Sequence, residues 1–100
     1  MVESEKDLER KLCKDVEFKL GGVAWKWFSI HISGLPDRIV LLPGGRVFFV
    51  ELKTTGKYIS PIQRSVHKKL QKLGFRVEVV DSSEQIDKLI EDYEPKRDSI

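Results

Sequence analysis

Two β-rich runs, "DRIVLL" at 37–42 and "RVFFVELK" at 46–53, flank "PGG" at Pro43 to Gly45, and this hairpin constrains the fold more than any other feature. Valine, isoleucine and phenylalanine suit a pleated, half-buried surface, and Pro-Gly-Gly is a turn signal. Side chains alternate along a strand, so Val47, Phe49, Glu51 and Lys53 share one side while Phe48, Val50 and Leu52 share the other. With a three-residue loop Leu42 faces Arg46 and, counting outward, Asp37 faces Glu51. Directly opposed residues have Cβ atoms only about 4.5–5.5 Å apart. Two carboxylates that close repel unless something positive lies between or beside them.

Lys53, one pair further along, is a partial answer. A divalent cation is a fuller one, because Mg²⁺ favours oxygen ligands and is commonly held by one or two carboxylates. A two-residue loop would shift the register by one and send Asp37 to the other face, so this reading requires the longer turn or a bulge. Taken alone, Glu51 and Lys53 would be a strand-end salt bridge of little worth.

The rest of the chain supplies elements to pack on this hairpin. Residues 3–20 read as a helix, with Leu8, Leu12 and Val16 recurring every four positions and Gly21-Gly22 as a stop. "VAWKWFSI", Val23 to Ile30, reads as a strand and "HISGLP" as a loop. "SPIQRSVHKKLQKLG" is a second helix with Ser60 as N-cap, Pro61 in the first turn and Gly74 ending it. "FRVEVV" is a short strand and "SSEQIDKLIEDY" a last helix. The order predicts a mixed α/β domain whose helices cover a sheet of about four strands. One domain over 1–92 is expected, with 93–100 as a flexible tail.

Length and charge narrow the function classes. One hundred residues enclose a single core. The apolar runs are far too short to cross a bilayer, and the charged start "MVESEKDLERKL" has no apolar core of a signal peptide, so a cytoplasmic setting is expected. The single Cys13 reads as a packing residue in a reducing compartment. Net charge is only +2, but Leu52 through Val77 holds Lys53, Lys57, Arg64, Lys68, Lys69, Lys72 and Arg76 and no acid. That run is either an ordinary solvated helix face or a footprint for a polyanion.

"GLPDRIVLLPGGRVFFVELKTTGKYISPIQ" resembles the VRR-NUC branch of the PD-(D/E)XK nuclease superfamily, in the short stand-alone form found in phages and bacteria. Pro36-Asp37, then Glu51-Leu52-Lys53 after a hairpin, then Ser60-Pro61 and Gln63 occur in that family's order, and the likeness runs from the first helix to "VEVVDSSEQI". The resemblance implies a restriction-endonuclease-like α/β core and a catalytic Mg²⁺ or Mn²⁺ held by Asp37, Glu51 and the carbonyl of Leu52. It implies that Lys53 orients or activates the attacking water and offsets charge on the phosphate. A first-helix glutamate usually completes such sites; Glu9 is the first choice and Glu5 the second, since both lie beside the Leu8, Leu12, Val16 stripe.

Gln63 has two readings. It sits three residues after Ser60, where a capping box places Glu or Gln, and the resemblance points it at the active site. Lys57, Arg64, Lys68, Lys69 and Arg38 are the expected phosphate contacts, which give affinity without base readout. His31 stands where many relatives carry a basic "GRRG"-like segment. His67 reads as an ordinary face of the second helix, and Trp25 and Trp27 as core or dimer contacts rather than base-stacking platforms. The function implied is a metal-dependent DNA endonuclease acting on branched DNA such as Holliday junctions, as a homodimer with two active sites. The rival readings are a DNA-structure-binding module that cleaves little or not at all, and a small interaction domain whose basic helix meets an acidic protein.

Overall fold

The computed structural model describes residues 3–54 and 57–95. Helix α1 (Glu5–Leu20) is followed by strands β1 (Val23–Lys26) and β2 (Arg38–Leu42), a 3₁₀ turn (Pro43–Gly45) and strand β3 (Arg46–Leu52). Helix α2 (Pro61–Lys72), strand β4 (Arg76–Val80) and helix α3 (Ser83–Tyr93) complete it. The sheet order is β1-β2-β3-β4, antiparallel for the first two pairs and parallel for β3 with β4. Among the described residues no helix is long and apolar enough to cross a membrane.

Each helix begins where its sequence supplies an acceptor for free backbone N–H groups. Ser4, Ser60 and Ser82 cap α1, α2 and α3, accepting from the N–H of Asp7, Gln63 and Gln85. Gly21 ends α1 at φ 69°, a left-handed conformation that glycine adopts without steric cost.

The hairpin has the longer turn. Leu42 pairs with Arg46 and Arg38 with Val50, so one further step sets Asp37 opposite Glu51. Gly44 and Gly45 turn the chain at φ 81° and 75°, open to glycine and disfavoured for other residues.

Alternation along β3 then sorts its two faces. Phe48, Val50 and Leu52 are buried with Leu8, Leu12 and Val16 of α1, Ile86, Leu89 and Ile90 of α3, and Val40 and Val80 of the neighbouring strands. Lys11 ties the two helices on that face together, its ammonium lying 2.9 Å from Asp15 and 2.8 Å from Asp87. Phe49 and Glu51 point the other way, where α2 crosses between β3 and β4. Phe49 stacks on Trp27 at 5.2 Å and meets Phe75 edge-on at 5.6 Å.

Two boundaries differ from the sequence reading. Strand β1 stops at Lys26 instead of Ile30, because Lys26 pairs with Arg38, the first residue of β2, and no partner strand extends beyond it. The Ser29 hydroxyl then accepts from the N–H of His31 and Ile32, a local bond that competes with extended structure. At the other end α3 closes at Tyr93, as its sequence reading has it, but the expected domain stops at 92: the Tyr93 ring stacks on Phe48 at 3.8 Å and its hydroxyl donates to Glu78 at 2.9 Å. The packed unit therefore reaches past residue 92, while 96–100 of the expected tail lie outside the described residues. Tyr93→Ala should lower the unfolding free energy by about 3 kcal/mol, the usual cost of deleting a packed aromatic ring, measured by urea denaturation.

Candidate active site

Strand β2 begins at Arg38, opposite Val50, so β3 runs two residues further and the N–H of Leu52 has no ladder partner on that side. Asp37 takes it: its Oδ2 accepts from Leu52 N at 2.7 Å. The bond fixes the carboxylate against the β3 backbone beside Glu51. On the opposite side Lys53 N donates to Val80 O at 3.0 Å, so the Glu51-Leu52-Lys53 segment is held from both neighbours.

Glu51 is 1% exposed, which is costly for a carboxylate unless it is paired or neutral. Its Oε2 accepts from Gln63 Nε2 at 3.2 Å and lies 3.5 Å from the Lys53 ammonium. Its Oε1 is buried and has no hydrogen-bond partner. Burial, and next the negative charge of Asp37, push the Glu51 carboxyl up to about 7, with Lys53 acting in the opposite direction. Without a cation the two acids cannot both ionise at little cost.

Helix α2 backs this pair. Gln63 makes two contacts at once: its Oε1 accepts from Ser60 N at 3.0 Å, closing the capping box, and its Nε2 donates to Glu51. One turn further along, His67 is 5% exposed and its unpartnered Nε2 lies 3.8 Å from Glu51 Oε1. Burial, and then the charge of Lys53, lower the His67 pKa, so it stands neutral at neutral pH. His67 is thus part of the site rather than an ordinary helix face. The sequence signal was its spacing: residues four apart share one side of a helix, and Gln63 was already placed there.

Other candidates lie elsewhere. Arg38 is next to Asp37 in the chain, so alternation sends it through to the opposite face. Its guanidinium donates to Ala24 O at 3.0 Å and to Glu9 Oε2 at 3.4 Å, with most of the side chain buried. Arg38 is thus engaged on the α1 face, away from Asp37 and Glu51. It also engages Glu9, and Glu5 is exposed on α1. Among the described residues no three His, Cys, Asp or Glu side chains are grouped to hold a metal ion. Lys57, Arg64, Lys68 and Lys69 are all exposed, the last three along α2. Trp27 donates from its indole to Pro36 O at 2.8 Å and so steadies the approach to Asp37, whereas Trp25 is exposed.

The donor set fits a hard divalent cation. Two carboxylates meet with one buried oxygen unpartnered, and hard oxygen donors of this kind suit such an ion.

Known proteins of similar sequence and fold identify the family. The VRR-NUC domain profile matches residues 3–84. "Putative nuclease p44" of Acyrthosiphon pisum secondary endosymbiont phage 1 is 41% identical over 80 residues, covering 80% of this chain and 85% of that protein. A solved structure described as "VRR_NUC domain" superposes with a TM-score of 0.78 at 37% identity, covering 91% of this chain and 99% of that one. The chain belongs to the VRR-NUC family of nucleases.

The raised Glu51 pKa has a signed consequence for the metal-free protein. Between about 4.5, the ordinary value, and about 7 the folded state holds a proton that the unfolded chain releases, so stability falls as pH rises through that window. His67 acts oppositely, because its lowered pKa makes stability rise up to about pH 6.5. Comparison with Glu51→Gln isolates the carboxyl. In EDTA the melting temperature of Glu51→Gln relative to wild type should increase from pH 4.5 to pH 7.5; parallel curves would refute the assignment.

Proposed function

We propose that this protein is a metal-dependent DNA endonuclease that hydrolyses phosphodiester bonds, selective for branched DNA such as four-way junctions and active as a homodimer. The pairing of Asp37 with Glu51 beside Lys53 is the observation that carries this reading. Mg²⁺ or Mn²⁺ would be held by Asp37, Glu51 and the Leu52 carbonyl. When bound, such an ion supplies a nucleophile at neutral pH and stabilises developing negative charge.

The chain's own residues would do the rest. Lys53 is a compact positive charge beside Glu51; it orients the attacking water and offsets charge on the phosphate. Gln63 holds Glu51 Oε2, which leaves Oε1 turned inward for ligation. Lys57, Arg64, Lys68 and Lys69 bind backbone phosphates, giving salt-dependent affinity without sequence readout. One chain carries one site and nicks one strand per encounter, so resolution of a junction needs a twofold pair. The phage relative supports a role in the cytoplasm of a bacterial or phage-infected cell.

A labelled four-way junction with Mg²⁺ or Mn²⁺ tests the proposal. Wild type should cut it, while Asp37→Asn and Lys53→Ala each slow cleavage by about 10²–10⁴-fold, the span expected for losing a positioned catalytic group. Equal rates for wild type and both variants would refute it.

A further inference from the structure

The loop between β1 and β2 is well anchored yet leaves large apolar side chains in water. Trp27 stacks on Phe49 and bonds Pro36 O, which joins the two ends of the loop. The Ser29 hydroxyl holds the N–H groups of His31 and Ile32 at 3.0 and 3.2 Å. Gly34, at φ 86°, packs against α2 so closely that an added Cβ would lie 2.9 Å from Ile62 O. From this scaffold Phe28 is 86% and Ile30 85% exposed, with Ile32 also exposed. An ordered loop that holds such groups outward marks a contact surface.

A cavity of about 340 Å³ opens in the loop, with Lys26, Trp27, Phe28, Ile32, Pro36 and Asp37 among its walls. That volume is at the lower end of small-ligand sites, which run from about 300 to 1,000 Å³. The carboxylate that faces Glu51 is therefore also a wall of an aromatic pocket. No acidic residue occurs between Glu17 and Asp37, and Lys26 adds positive charge, so a phosphate chain can approach. The larger cavity, about 480 Å³ between β4 and α3, is lined by Glu78, Glu84 and Asp92 and is unsuited to a polyanion.

Resting on the nuclease reading above, we infer that the pocket between Phe28 and Asp37 receives the base of an unpaired nucleotide. A base offers a flat apolar face to Phe28 and Ile32 while its own phosphate reaches toward Asp37. Continuous duplex must first unstack and unpair that base, whereas a branch point presents it free. Aromatic stacking accepts every base, so the pocket selects DNA structure rather than sequence.

The test uses the whole chain with Ca²⁺, which takes the same oxygen ligands, and reads binding rather than cleavage. One probe is a forked duplex with a single unpaired 2-aminopurine at the branch; the other carries the analogue inside continuous duplex. Wild type should bind the fork at least about 10-fold more tightly and alter the fluorescence of the unpaired base, in line with the worth of one stacked base. Phe28→Ala should abolish both effects and Phe28→Trp restore them, with duplex affinity unchanged throughout. Because Phe28 is exposed, its truncation leaves the core intact.

Equal affinity of wild type for fork and duplex, or Phe28→Ala behaving as wild type, overturns the inference. So does failure to bind either DNA, or Phe28→Ala turning a dimer into a monomer by sedimentation while the fluorescence change persists, which would assign the loop to a second copy. Junction cleavage without dependence on Phe28 removes this inference and leaves the nuclease reading. Fork-selective binding without cleavage does the reverse.

Discussion

The register of β2 against β3 governs the rest of the site. Pro43, Gly44 and Gly45 make a three-residue turn, Leu42 meets Arg46, and four pairs further along the ladder reaches Arg38 and Val50. Asp37 follows as the next step, facing Glu51 and bonded to Leu52 N at 2.7 Å. A shift of one residue would send Asp37 to the side of α1 and bring Arg38 beside Glu51. The hydrophobic alternation of β2 resists that shift, since Val40 and Leu42 would leave the core.

This register crowds two acids into a buried place, and the surrounding groups respond to the crowding. Lys53 supplies one positive charge and Gln63 one hydrogen bond, both to the same oxygen of Glu51. The other oxygen is unpartnered and has His67 Nε2 across from it, also unpartnered. A purely structural ion pair would satisfy both ends. Two facing polar atoms left unpaired inside a packed domain cost stability, and such sites are commonly functional. Holding a proton on Glu51 limits that cost in the metal-free state.

Much of this was legible in the sequence because it depends on short-range rules. Loop length and alternation set Asp37 against Glu51, Ser60 and Gln63 formed the expected capping box, and the Leu8, Leu12, Val16 stripe is buried. What the sequence hid depends on contacts across the sheet. Glu9 and Glu5 were equivalent by periodicity, and only the position of Arg38 on the α1 face shows which cation Glu9 meets. The end of β1 was obscured because Trp27 and Phe28 favour strands, whereas the ladder ends where β2 begins. His67 lies one turn of α2 past Gln63, within reach of helical periodicity, but its burial against Glu51 depends on how α2 packs on the sheet.

Mn²⁺ titration by calorimetry at pH 7.5 without DNA addresses the paired carboxylates directly. The account predicts one ion per chain for wild type, at least a 100-fold loss of affinity in both Asp37→Asn and Glu51→Gln, and retention in Glu9→Gln. Undiminished binding by the first two variants, or a loss in Glu9→Gln as large as theirs, would contradict it.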